Sequence, residues 1–322
     1  MGTMTHHPAA PARALLCAAA VLLFTAATAT AQSKYAGLAA AEMLAALRTA
    51  PAHERAEVAD AIVARRNDLL PDLRAAATGG SPADRFLACT LLAELRDRDG
   101  LDALVAATAD PDVRVRRRAA TSLRLLGDPR AASRMRALLR SETDTGVLKT
   151  ALATLGRVGR TADRSRIAAF LEHGNESVRV TAAGSLAMLG DESALDAVLL
   201  ASHSIQPGAQ KTAVFALGLF ADPRAGERLA AILADPHGPW KAWALVAEAN
   251  RSLRGRDAAA RAATLEALAF DRRSRTLAEW AVDELSAEAT PEAAAALQRA
   301  GRRGGLIGDK AGRRARVREL AR

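Results

Sequence analysis

From Ala83 onward the apolar residues of this chain fall at helical spacing. Phe86, Cys89, Leu92 and Leu95 lie three apart and share one helical face. A clearer stripe runs through Val115, Ala119, Ala120, Leu123 and Leu126 and stops at Gly127-Asp128. It returns at Val178, Ala182, Ala183, Leu186 and Leu189 and stops at Gly190-Asp191. Weaker copies span 147–159 and 209–222. The closing positions Gly127, Gly159, Gly190 and Ala221 are 32, 31 and 31 residues apart, and a fixed period in this range marks a solenoid. A second stripe follows each first one: Leu101, Leu104 and Val105; Met135, Leu138 and Leu139; Ile167, Phe170 and Leu171; Leu195, Val198 and Leu199; Leu229, Ile232 and Leu233. Each has the i, i+3, i+4 form of a helix with one buried face. The pattern predicts an all-α solenoid of about seven antiparallel helix pairs with a period of 31–33 over residues 32–300, clearest over 83–255.

The joints carry their own chemistry. Asp110-Pro111, Asp128-Pro129, Asp222-Pro223 and Asp235-Pro236 stand at predicted helix starts. Aspartate accepts from the free N–H groups of a first turn, and proline at the first helical position loses no hydrogen bond. Gly127, Gly159 and Gly190 are expected to end the preceding helices in the left-handed region. After Ala221 the template decays, as end repeats must close the core against water. Trp240 and Trp243, three apart in a helix predicted over 239–253, either fill the core or form a binding pair. The Gly- and Arg-rich stretch 301–322 is expected to be a disordered basic tail or a short helix from Asp309.

Residues 1–31 read as a secretory signal peptide. Arg13 is their only charge, Ala14 to Phe24 is an apolar run of h-region length, and Ala29-Thr30-Ala31 offers a cleavage site before Gln32. The expectation is a mature chain in a periplasm or outside the cell. Such a chain would keep only Cys89, aligned with the small buried residues of the other copies and read as a buried small hydrophobe.

The frame V-R-x-x-A-A-x-x-L-x-x-L-G-D stands at Val115-Arg116 through Asp128 and at Val178-Arg179 through Asp191. It resembles the HEAT-repeat superfamily in its short, PBS-lyase HEAT-like form. The resemblance implies an α-solenoid and a structural role for Arg116, Gly127, Asp128, Arg179, Gly190, Asp191 and Asp222. It says little of function, because that family includes scaffolds and a few enzymes. The HEAT-like deoxyhypusine hydroxylases use several His-Glu pairs, and this chain has one, His53-Glu54. Bilin lyase or DNA glycosylase activity fits poorly with export and with 3% aromatic residues. No Walker loop, G-x-S-x-G, Cys-x-x-Cys or H-E-x-x-H motif occurs. His173, His203 and His237 fall near predicted loops and read as surface histidines. No cofactor or metal is called for.

Charge then narrows the candidates. The formal charge is +9, and much of it sits in residues 299–322. Between 113 and 140, Arg114, Arg116, Arg117, Arg118, Arg124, Arg130, Arg134, Arg136 and Arg140 face one acid, Asp128. This predicts an electropositive patch for an acidic partner, with Arg114, Arg117, Arg118, Arg124, Arg134, Arg136, Arg140, Trp240 and Trp243 as candidate contacts. Arg302, Arg303, Arg313, Arg314, Arg316 and Arg318 form a second candidate site, for an anionic polymer or lipid headgroups. The functional expectation is a non-enzymatic scaffold that presents an extended concave surface to another protein. The alternative is a polyanion- or envelope-binding module. Export and the few aromatics disfavour nucleic acid.

Overall fold

In the computed structural model, residues 33–320 are described, apart from positions 52, 236 and 289. The signal-peptide reading of 1–31, with Cys17, lies outside them. The chain divides at Leu69/Leu70 into two compact units. The first contains α1 (Ala40–Thr49) and α2 (Arg55–Ala64), which pack on each other. There Tyr35 donates its hydroxyl to Glu54, a carboxylate also paired with Lys34 at 2.8 Å. The helix α3 (Arg66–Ala76) spans the division.

Within the second unit seven helix pairs follow among the described residues. They are α4 (Pro82–Glu94) with α5 (Leu101–Ala107), α6 (Val113–Leu126) with α7 (Ala132–Ser141), and α8 (Thr145–Val158) with α9 (Arg164–Ala168), which continues as a 3-10 turn Ala169–Glu172. Then come α10 (Glu176–Met188) with α11 (Leu195–Ala201), α12 (Pro207–Leu217) with α13 (Pro223–Ala234), α14 (Lys241–Ser252) with α15 (Ala258–Leu268), and α16 (Arg275–Ala287) with α17 (Pro291–Gly301). The first helix of each pair packs on the first helix of the next, from α4 through α16. Small residues make that contact possible. Ala88, Cys89, Ala119, Ala120, Ala151, Ala182, Ala183 and Ala213 are fully buried. At Gly218 an added Cβ would come within 2.7 Å of the Ala247 Cα, so these two backbones approach as closely as glycine allows. Burial pushes the Cys89 thiol up to about 12, as suits a small hydrophobe rather than a reactive thiol.

The repeated polar residues join neighbouring pairs. Arg85 pairs with Asp110 at 2.5 Å, Arg116 with Glu142 at 2.8 Å, Arg136 with Asp163 at 2.7 Å and Arg261 with Glu288 at 2.6 Å. Each pair bridges 25 to 27 residues, a little less than one repeat. Arg116 also donates to the carbonyls of Asp110 and Pro111, and Arg179 donates to the equivalent carbonyls of His173 and Gly174. The repeated arginine therefore ties the loop before each helix to its own first turn.

The joints follow the expected chemistry in part. Asp128 and Asp222 accept from Arg130 N and Arg224 N, and Gly127 and Gly190 have φ of +64° and +79°. Other joints differ. The cap of α6 is Asp112, while Asp110 turns back to accept from the Asp112 N–H and Arg85. Asp191 accepts from Ser193 ahead of α11 rather than capping it. Asp235 ends α13, and α14 starts only at Lys241, which leaves Trp240 as its N-cap residue. Gly159 is extended (φ −76°) and not left-handed. Glycine is required there because a Cβ would lie 2.3 Å from the Leu155 carbonyl oxygen.

The expected disordered tail is a helix, α18 (Gly305–Leu320). It buries Ala311, Ala315 and Val317 and packs on α16 and α17. Its alanines sit at the four-residue spacing of one face, and that buried face outweighs the unfavourable Gly and Arg content. The helix also brings the ends of the array together. Arg314 pairs with Glu94 and with Asp283 (3.4 Å), Lys310 pairs with Asp283 at 2.9 Å, and Arg96 donates to the Ser286 carbonyl at 2.6 Å. Contacts across 190 and 220 residues are foreign to an open solenoid, in which a repeat touches only its neighbours. The extended concave surface expected from the repeat is instead curled back on itself.

Candidate functional site: a cationic cavity

The inner face of the curled array is built from the first helices alone. Those from α6 to α16 each contribute one stripe: Arg117, Thr121 and Arg124 from α6; Lys149, Thr150, Ala153 and Arg157 from α8; Thr181, Ser185 and Met188 from α10; Thr212 and Phe215 from α12, with Leu219 just past its end; Trp243 and Asn250 from α14; Trp280 and Glu284 from α16. Together they line a half-open cavity of about 680 Å³, within the range of roughly 300–1,000 Å³ common for ligand sites.

One wall is cationic. Arg117 lies at the rim, 53% exposed, and reaches Asp144 at 3.0 Å. Arg124, Lys149 and Arg157 face the cavity and make no hydrogen bond or ion pair with the described residues. Burial lowers the affinity of Arg124 for its proton, and the neighbouring Arg157 adds to this. Burial likewise lowers the pKa of Lys149, with Arg117 contributing. Across from them stands the one acid of the lining, Glu284, raised by burial although Arg157 and Arg124 pull it back. Another part of the lining is aromatic. Phe215 and Trp243 meet edge to face at 6.4 Å, and the Lys211 ammonium lies 4.1 Å from the Trp243 ring centre.

The lining also carries a band of hydroxyls. Thr121, Thr150, Thr181, Ser185 and Thr212 each donate to the carbonyl four residues back in their own helix, at 2.7 to 2.9 Å. Their protons are thus committed, and the oxygens they offer are acceptors.

The expected arginine patch is dispersed by the fold. Arg114 pairs with Asp112 and Arg136 with the buried Asp163; Arg134 donates to the Thr108 hydroxyl. Arg118 lies 4.5 Å above the Phe86 ring centre with its Nε buried, and Arg140 is exposed on α7. The acids that pair with this stretch are Asp112, Asp128, Glu142, Asp144 and Asp163. All but Asp128 lie outside the window that holds the arginines, Asp163 most of a repeat from Arg136, so linear counting separates partners that folding joins. Of the patch, only Arg117 and Arg124 line the cavity. Trp243 lines it too, whereas Trp240 donates its indole N–H to Gln210 at 2.6 Å. Both tryptophans are half-buried against the repeat core.

The tail arginines divide as well. Arg314 closes the array, and Arg313 is half-buried. Arg303 covers the Phe270 ring, Arg302 and Arg316 are exposed, and the side chain of Arg318 lies outside the described set. His203 and His237 are exposed in loops; His173 stacks on Phe170 in a separate surface depression.

Residues 70–156 and 164–249 match the family model of HEAT repeats, more than half of the chain. The chain belongs to the HEAT-repeat family. Among solved structures it is similar to the complex of CpcE and CpcF of phycocyanin lyase from a Nostoc species, with 22% identity and a TM-score of 0.49 over 66% of this chain and 87% of that one. It is also similar to human deoxyhypusine hydroxylase in complex with glycerol (16% identity, TM-score 0.38, 81% of this chain and 99% of that one). An engineered protein gives 17% identity and a TM-score of 0.38 over 86% and 88%. No curated protein matches the chain.

Sequence reasoning missed Lys149, Arg157, Phe215, Trp280 and Glu284. A signal for the first was present, because Lys149 stands two residues after Val147 as Arg117 stands two after Val115. Glu284 and Trp280 come from the seventh pair, where the template has decayed and no column points inward.

Proposed function

We propose that this HEAT-repeat protein is an exported, non-catalytic binding module that holds a segment of a partner protein in the cavity of its curled array. The observation that carries this reading is the set of cavity-facing cations, Arg124, Lys149 and Arg157, which form no hydrogen bond or ion pair with the described residues. A charge turned into a recess, partly shielded from water, is stabilised by an opposite charge brought there. The non-catalytic reading draws support from the hydroxyls: each is spent on a helix carbonyl and none is offered to a base, so none is activated as a nucleophile. Export rests on residues 1–31.

Two measurements test the proposal. Pull-down from the native envelope should recover a partner with the wild-type chain and lose it with Met188→Glu, which places a carboxylate on the cavity wall; undiminished recovery would overturn the cavity as the binding site. The recovered chain should begin at Gln32 by mass; one that begins at Met1 overturns export through a cleaved signal.

A further inference from the structure

We infer that the occupant of the cavity is an acidic peptide segment with an aromatic or large apolar side chain beside its carboxylates. The inference rests on the partner-binding reading above and adds the chemistry of the ligand.

Three features of the lining each select one part of such a segment. The cationic wall selects carboxylates. Arg124 and Lys149 are held in a place that disfavours their charge, so a carboxylate arriving there relieves a penalty that surface cations do not carry. The aromatic part of the lining, with Phe215 and Trp243, selects an aromatic or branched apolar side chain. The hydroxyl band selects the peptide backbone. Its hydroxyls have given their protons to their own helices and present acceptors along one line from α6 to α12. Backbone N–H groups are the donors that fit such a line. Inorganic polyphosphate would supply charge for the cations and nothing for the hydroxyl oxygens, so the lining favours a peptide over it. The single acid, Glu284, lies with Trp280 on the side contributed by α16, so it would repel a second acidic run and gives the segment a direction.

The test uses the full chain and a fluorescent peptide in which glutamates flank one phenylalanine, followed by anisotropy. The glutamate peptide should bind and the same peptide with lysines should not. Arg124→Gln and Lys149→Gln should each weaken binding about thirtyfold, the loss typical of removing one partner of a desolvated charge pair. A backbone N-methylated version of the peptide should bind more weakly to the unaltered protein, a readout that does not depend on a variant folding. Equal binding of the lysine peptide, binding indifferent to N-methylation, or full displacement by polyphosphate overturns the inference. A photo-crosslinker at Met188 separates it from the reading on which it stands. A crosslinked envelope polypeptide without an acidic stretch leaves partner binding in place and overturns the acidic assignment; no crosslinked polypeptide overturns both.

Discussion

Asp163 is nearly inaccessible, yet it is charged. It accepts from Arg136 at 2.7 and 3.0 Å and from the Arg160 N–H at 2.9 Å. These donors, Arg136 foremost, hold its carboxyl below the usual carboxylate range. At Asp112 the Arg114 guanidinium and N–H bring the carboxyl to about 2. A carboxyl depressed in the folded state binds its proton more readily once unfolded. Such groups therefore contribute stability that is complete above the unfolded value near ~4 and is lost as pH falls toward the folded one. Glu284, raised by burial, has the opposite sign and offsets part of this. The urea midpoint is expected to fall steadily between about pH 5 and about pH 2, and Arg136→Ala, which removes the main partner of Asp163, should make that fall shallower. It should also cost about 2–3 kcal/mol at neutral pH. A midpoint flat with pH would contradict the assignment of these pairs. The Arg136–Asp163 pair was not legible from charge counting, because its members lie 27 residues apart, most of a repeat.

At the scale of elements, helix spacing on the inner face sets the geometry of the cavity. Gly218, the residue that ends α12, lies against Ala247 of α14, with room for no Cβ. Gly218→Ala must push backbone against backbone, and the expected loss is about 1–3 kcal/mol, read as a lowered urea midpoint. Gly174→Ala, where nothing lies within 4 Å of the added carbon, should leave the midpoint nearly unchanged. The helices themselves were the legible part. Their apolar stripes, the Asp128 and Asp222 caps and the left-handed Gly127 and Gly190 are local features, written within one or two turns of sequence. Gly159 was misassigned because its place in the repeat matched theirs while the reason for glycine was different: its close approach to the Leu155 carbonyl. Of the two readings for 301–322, disorder failed and the short helix from Asp309 was too short, because the burial of α18 depends on α16 and α17 while its own composition of Gly and Arg argues against a helix.

At the scale of the whole second unit, closure is the deciding event. Glu94 and Asp283 converge on Arg314, and Arg96 reaches Ser286. Arg314→Ala is expected to speed hydrogen exchange at the C-terminal end of α4 and in α16 while leaving α8 and α10 protected; uniform protection would mean that the array closes without this arginine. The repeat period, the all-α class and the helix stops at Gly127 and Gly190 were determined by the sequence alone, because they depend on neighbours a few residues apart along the chain. The meeting of the two ends, the pairing of the arginines and the choice of which side chains face the cavity were decided only by the tertiary structure. They depend on small differences in helix spacing that accumulate over seven pairs, and no single copy of the repeat carries that sum.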